Sequence, residues 1–179
     1  MPQEILDFWF SDEVRKLWFN STPEFDALLR ERFEALWARA QQGELDGWLQ
    51  SAAGSLALVI VLDQFPLNMF RGQALSFASE AQSREVARMA IDKGFDQDLD
   101  PRARAFLYTP FMHSEVLADQ QLALQLFAQP GLEDNLRFAR HHYGIVEKFG
   151  RFPHRNEALG RESSEPEIEY LNSKEAFTG

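Results

Sequence analysis

Leu56-Ala57-Leu58-Val59-Ile60-Val61-Leu62-Asp63-Gln64-Phe65-Pro66 is the stretch on which the architecture turns. From Leu56 to Leu62 every residue is apolar, so no angle of a 3.6-residue wheel is left for water. Such a segment reads as a helix buried on all sides, and it needs amphipathic helices packed around it. Seven apolar residues that stop at Asp63 fall far short of the ~20 that cross a bilayer, so the run predicts a core helix. Pro66 has no amide proton and its ring clashes with the preceding turn; it is expected to end the helix.

The helical period continues outward in both directions. Thr22-Pro23 has the form of an N-cap and first helical residue, opening a helix with Phe25, Leu28, Leu29, Phe33, Leu36 and Trp37 that stops near Gly43. Ser79 and Gln82 have capping-box spacing; behind them Val86, Ala87, Ala90 and Ile91 form one stripe, ended by Gly94. Pro101 opens a short helix that Pro110 is expected to interrupt. Ser114 is expected to cap a helix to about Phe127, Pro130-Gly131 breaks the chain, and a helix over 134–149 ends at Gly150. Ser164 with Glu167 predicts a last capping box, followed by a polar tail over 172–179 that is expected to fray. Nothing of strand length alternates strictly. The reading is all-α, residues 1–179 forming one domain of stacked antiparallel helix hairpins.

Composition removes several classes of function. With no cysteine among 179 residues, disulfides, thiolate nucleophiles and zinc-thiolate sites are excluded. Any metal would need His and carboxylate ligands; no metal and no cofactor is expected. The formal net charge of −10 argues against nucleic acid or an anionic membrane as partner, because both require a basic footprint. The start, MPQEILDFWF, lacks the basic region and cleavage site of a secretory signal, so a cytoplasmic location is expected.

The chemically informative residues cluster. Residues 101–161 hold eight Lys plus Arg against six Asp plus Glu, and all four histidines, so this segment is +2 while the rest of the chain is −12. On a helix capped by Ser114, Glu115 and Asp119 are one turn apart on the stripe of Leu122 and Leu126, so two carboxylates continue an apolar face. Asp63 stands at the expected C-terminal end of the buried helix, where the dipole disfavours an anion and burial adds a cost. A buried ion pair and a catalytic carboxylate both fit. Asp63 or Glu115 is expected to pair with Arg71, Arg151 or Arg155.

The histidines differ. His142 falls in the apolar face of its helix, which predicts a buried, neutral ring; His141 lies at the edge, in water. His113 and His154 sit beside prolines in loop-like contexts and are better candidates for a site.

Three motifs carry these residues: Leu62-Asp63-Gln64-Phe65-Pro66 with Asn68 and Phe70-Arg71-Gly72; Pro110-Phe111-Met112-His113-Ser114-Glu115 with Asp119-Gln120; and Phe149-Gly150-Arg151-Phe152-Pro153-His154-Arg155-Asn156 with Leu159-Gly160-Arg161. Over nearly the whole chain they resemble the bacterial family known as domain of unknown function 924. The resemblance implies an all-helical fold similar to tetratricopeptide-like superhelices, and no activity. It marks Asp63, Gln64, Asn68, Arg71, His113, Glu115, Asp119, His142, Arg151, His154, Arg155, Asn156 and Arg161 as motif positions. Leu67 departs from the pattern, which has a basic residue after Phe-Pro.

Two functional expectations stand level. In one, the motifs converge on a pocket for a small anionic ligand, with His113, His154, Glu115 and Asp63 available for acid/base chemistry and Arg71, Asn68, Asp119, Arg151, Arg155, Asn156 and Arg161 holding the ligand. In the other, stacked hairpins form a groove for a peptide or protein partner, and the polar motifs brace it. Metal ligation ranks below both, because His113-x-Glu115 lacks the spacing of a helical zinc motif.

Overall fold

The computed structural model describes residues 1–177, which are helices and short connections with no strand. Helix α1 (Pro2–Trp9), the one-turn α2 (Asp12–Arg15) and α3 (Pro23–Gln41) precede the apolar stretch, which forms α4 (Ala52–Val59). The Thr22 hydroxyl accepts the Phe25 amide proton at the start of α3, as its sequence predicts.

Helix α4 packs against α1, α6 (Glu80–Asp92) and α7 (Pro101–His113), so it is surrounded. Leu56 through Leu62 are each no more than 1% exposed. The helix does not end at Pro66. Ile60–Gln64 widens into a π-turn, with the Phe65 amide bonded to the Ile60 carbonyl, and the chain continues as α5 (Phe65–Met69). Together, Ala52–Met69 is 18 residues long and apolar enough to span a membrane by composition, but 78% of it is buried by the rest of the chain.

Two prolines therefore sit inside helices, and each is accommodated in the same way. A proline leaves the carbonyl four residues back without its amide partner. For Pro66 that carbonyl belongs to Leu62, and the Ser79 hydroxyl donates to it at 2.5 Å. For Pro110, which α7 also passes through, it belongs to Phe106, and the Thr109 hydroxyl lies 2.9 Å from it. Ser79 consequently makes no capping box: its oxygen accepts from Trp37 Nε1 at 2.9 Å, while Gln82 Nε2 reaches the Ala40 carbonyl at 2.8 Å.

The remaining helices are α8 (Leu117–Phe127), α9 (Glu133–Phe149) and α10 (Glu165–Leu171). Successive helices α7, α8 and α9 pack on one another across short connections. Gly150 takes the left-handed φ of 71° that stops α9, and Ser164 and Glu167 form the expected capping box on α10. Helix α8 starts later than its sequence suggests. Ser114 lies ahead of it, binding the Val116 amide and the Asp119 carboxylate, so Glu115 belongs to the α7–α8 connection and shares no helical stripe with Asp119.

Candidate functional site

Because the helix passes through the π-turn, Asp63 lies in its middle and not at its C-terminal end. Its side chain is 1% exposed and faces α7, where Thr109 and His113 are one turn apart. His113 Nδ1 lies 3.0 Å from Asp63 Oδ1. Asp63 Oδ2 accepts from Gln64 Nε2 at 2.6 Å and lies 2.9 Å from the Thr109 hydroxyl. Burial alone pushes the Asp63 carboxyl up, but the His113 charge and the three hydrogen bonds outweigh it and hold the pKa below the usual carboxylate range. Burial pushes His113 down; the charge and hydrogen bond of Asp63 outweigh it and hold the imidazole above its ordinary value. Each of the two residues favours the charged form of the other.

A second pair closes around this one. Arg155, 5% exposed, lies 2.9 Å from Glu80 on α6 and donates to the His113 carbonyl at 2.9 Å. Its guanidinium is sandwiched between the rings of Phe77 at 4.3 Å and Phe152 at 4.7 Å. Burial raises the Glu80 pKa by more than Arg155 and His113 lower it. Asp63, His113, Glu80 and Arg155 thus form one buried, nearly neutral charge cluster.

Glu115 clamps the third motif to the second. Its carboxylate accepts from the Phe152 amide at 2.7 Å and from both terminal nitrogens of Arg161 at 2.7 and 2.9 Å. Arg161 Nε donates to Asn156 Oδ1 at 2.9 Å. Burial opposes ionisation of Glu115, but the Arg161 bonds and the Phe152 amide prevail and lower its pKa.

The three motifs therefore meet, although the expected pairing is replaced by another. Asp63 pairs with His113, and Glu115 with Arg161. Arg155 pairs with Glu80, Arg151 with Glu167 at 2.7 Å, and Arg71 with Asp26 of α3 at 2.8 Å. Asn68 serves Arg71, accepting at 2.9 Å, and Asp119 lies between Arg84 and Arg88 at 3.2 and 3.0 Å. Arg71, Asn68, Asp119 and Arg151 thus fall outside the charge cluster. Glu80, Thr109, Arg84 and Arg88 have no sequence signal, because they sit on helices whose charged residues look like ordinary solvated faces.

Histidines line the flank of the cluster. His142, 5% exposed, donates from Nδ1 to the Phe138 carbonyl at 2.8 Å, and burial pushes its pKa down to about 3. Its ring centroid is 6.4 Å from that of His113. His154 is pushed down to about 4 by burial and then by Arg155. Among the described residues its buried Nδ1 has no hydrogen-bond partner, and neither has the buried Nε of Arg155. No three His, Asp or Glu side chains among the described residues come together in a metal-holding arrangement. Two clefts lie elsewhere: about 500 Å³ lined by Asp7, Leu56, Asp98 and Asp100, and about 430 Å³ beside Arg151 and Glu167.

Fold and site define an all-α protein with a buried histidine, carboxylate and arginine centre assembled from three motifs. The chain belongs to the family described as bacterial protein of unknown function, DUF924, which it matches over residues 5–175. It is similar to a solved structure, that of the protein of unknown function ATU0120 from Agrobacterium tumefaciens, with 43% identity over 96% of both chains and a TM-score of 0.91. Comparison with curated proteins finds no match.

Proposed function

We propose that this chain binds a small anionic ligand, in the cytoplasm, at the flank of the charge cluster formed by His113, His154 and Arg155. One observation carries the reading: among the described residues the buried Arg155 Nε and His154 Nδ1 have no hydrogen-bond partner, beside a His113 whose carbonyl Arg155 holds. Buried polar groups left unsatisfied are rare in folded proteins and mark places where a ligand supplies the missing acceptor. The Asp63–His113 pair adds a proton carrier. With Nδ1 held by the carboxylate, Nε2 is the atom that gives or takes a proton at the ligand.

Inorganic phosphate and acetate, titrated against the protein in a thermal-shift assay, test this reading. Either anion should raise the wild-type Tm as its concentration exceeds its Kd, and His113→Asn should abolish the gain. No stabilisation of the wild type by either anion overturns it.

A second reading, a helical scaffold of tetratricopeptide-like type for a peptide or protein partner, is supported by the pairing of the motif arginines. Arg71, Arg151, Arg155 and Arg161 each face a carboxylate of the same chain, as expected of braces. It predicts a stable protein that ignores small anions.

A further inference from the structure

Residues 172–177 turn back over the histidines. The segment has no helix, and residues 172–175 are exposed. Its start is tied to α10 by the Asn172 amide on the Ile168 carbonyl and by the Ser173 amide and hydroxyl on the Tyr170 carbonyl; beyond Ser173, one hydrogen bond to the preceding chain, from the Phe177 amide to the Tyr170 hydroxyl at 2.8 Å, and one ring hold it down among the described residues. That ring stands edge-on to three imidazoles, with centroids 4.6 Å from His142, 5.0 Å from His154 and 6.1 Å from His141. Phe152 backs the same space, 5.6 Å from His142 and 5.7 Å from His154. The slot is therefore the width of one six-membered ring, and the unpartnered Nδ1 of His154 belongs to its wall. For the residues beyond Ser173, a single ring and a single hydrogen bond to the preceding chain are a weak tie against the entropy of ordering them. Lids are drawn from such low-stability elements.

We propose that residues 172–177 form a strap whose Phe177 ring is an internal occupant of the ligand slot, and that the ligand which displaces it is an anion carrying a planar apolar ring. The proposal rests on the anion site of the preceding section and names its ligand class. The ligand's ring takes the place of Phe177 among His141, His142 and His154, while its anionic group accepts from the unpartnered donors. A bare anion has no ring to replace Phe177, and a neutral ring has no anionic acceptor to offer.

Nuclear magnetic resonance of the full-length wild-type protein tests this, with phenyl phosphate, inorganic phosphate and benzyl alcohol as probes. Phenyl phosphate should move the Phe177 amide resonance to the position of an unstructured residue and bind at least tenfold more tightly than inorganic phosphate; benzyl alcohol should do neither. F177A should bind phenyl phosphate several-fold more tightly than the wild type, since no strap has to leave, and its His142 and His154 midpoints should move up. F177L, which keeps the slot filled, guards against general unfolding and should retain wild-type midpoints. Phenyl phosphate binding with the Phe177 amide unmoved, or midpoints unchanged in F177A, overturns the strap while the anion site stands. Failure of inorganic phosphate and acetate alike to bind the wild type overturns the anion site itself.

Discussion

His113 Nδ1 lies 3.0 Å from Asp63 Oδ1 across 50 residues of sequence, and each side chain favours the charged form of the other inside the protein. The pair joins the π-turn of the core helix to the end of α7, so its titration reports the integrity of the site. The His113 midpoint, read by nuclear magnetic resonance, should lie above the ordinary imidazole value and fall in Asp63→Asn. A midpoint at or below the ordinary value in the wild type contradicts the pairing.

The stability of the protein should depend on pH in opposite senses at different histidines. For His113 the folded pKa is raised, so its contribution is complete below the unfolded value and is lost as pH rises through the folded pKa. For His142 and His154 the folded values are pushed down to about 3 and about 4. Between those values and the unfolded ~6.5, the unfolded chain binds protons that the folded chain does not. Each of these two histidines therefore removes about 1.4 kcal/mol per pH unit as the solution is acidified through that window. Urea titrations between pH 7 and 4 should show this loss, and His142→Phe should flatten it. An identical slope in the variant refutes the assignment.

Arg155→Ala should cost ~3 to 5 kcal/mol, because it strands the buried Glu80 and leaves the His113 carbonyl without its donor. Arg39, exposed and paired with Glu44 at 2.8 Å, should cost no more than about 1 kcal/mol on the same substitution. Equal losses in denaturant unfolding would show that Arg155 is not acting as a buried charge.

Ser79 supports a proline that the helix would otherwise not tolerate. Ser79→Ala should cost ~2 to 4 kcal/mol, since the Leu62 carbonyl and Trp37 Nε1 both lose their partner. In a Pro66→Ala background an amide proton returns to the helix, and the same change should cost less. Additive losses in this double-mutant cycle count against the compensation.

The core itself gives the simplest test. Leu58→Ala and Leu62→Ala, at sites 1% and 0% exposed, should each cost ~2 to 5 kcal/mol through the cavity they open. The exposed change Lys174→Ala should stay within about 0.5 kcal/mol. Small, equal losses at all three would place the core elsewhere.

Local physics was legible in the residues alone. Seven successive apolar side chains can only be buried, Thr22-Pro23 and Ser164 with Glu167 cap as their spacing demands, and Gly150 stops a helix as a residue free to take positive φ does. The neutrality of His142 was also legible, from its place on an apolar stripe. Tertiary structure decided what depends on groups far away in sequence. Pro66 and Pro110 stay inside helices because Ser79 and Thr109 hydroxyls take over the carbonyls they orphan, and a local rule has no knowledge of those hydroxyls. Asp63 takes His113 and not an arginine because a π-turn aims it at α7, while Arg71 faces Asp26 of α3 and Arg155 faces Glu80 of α6. Charge pairing is settled by distance in space, which the chain's order does not encode; helix formation and burial are settled by the period of the side chains, which it does.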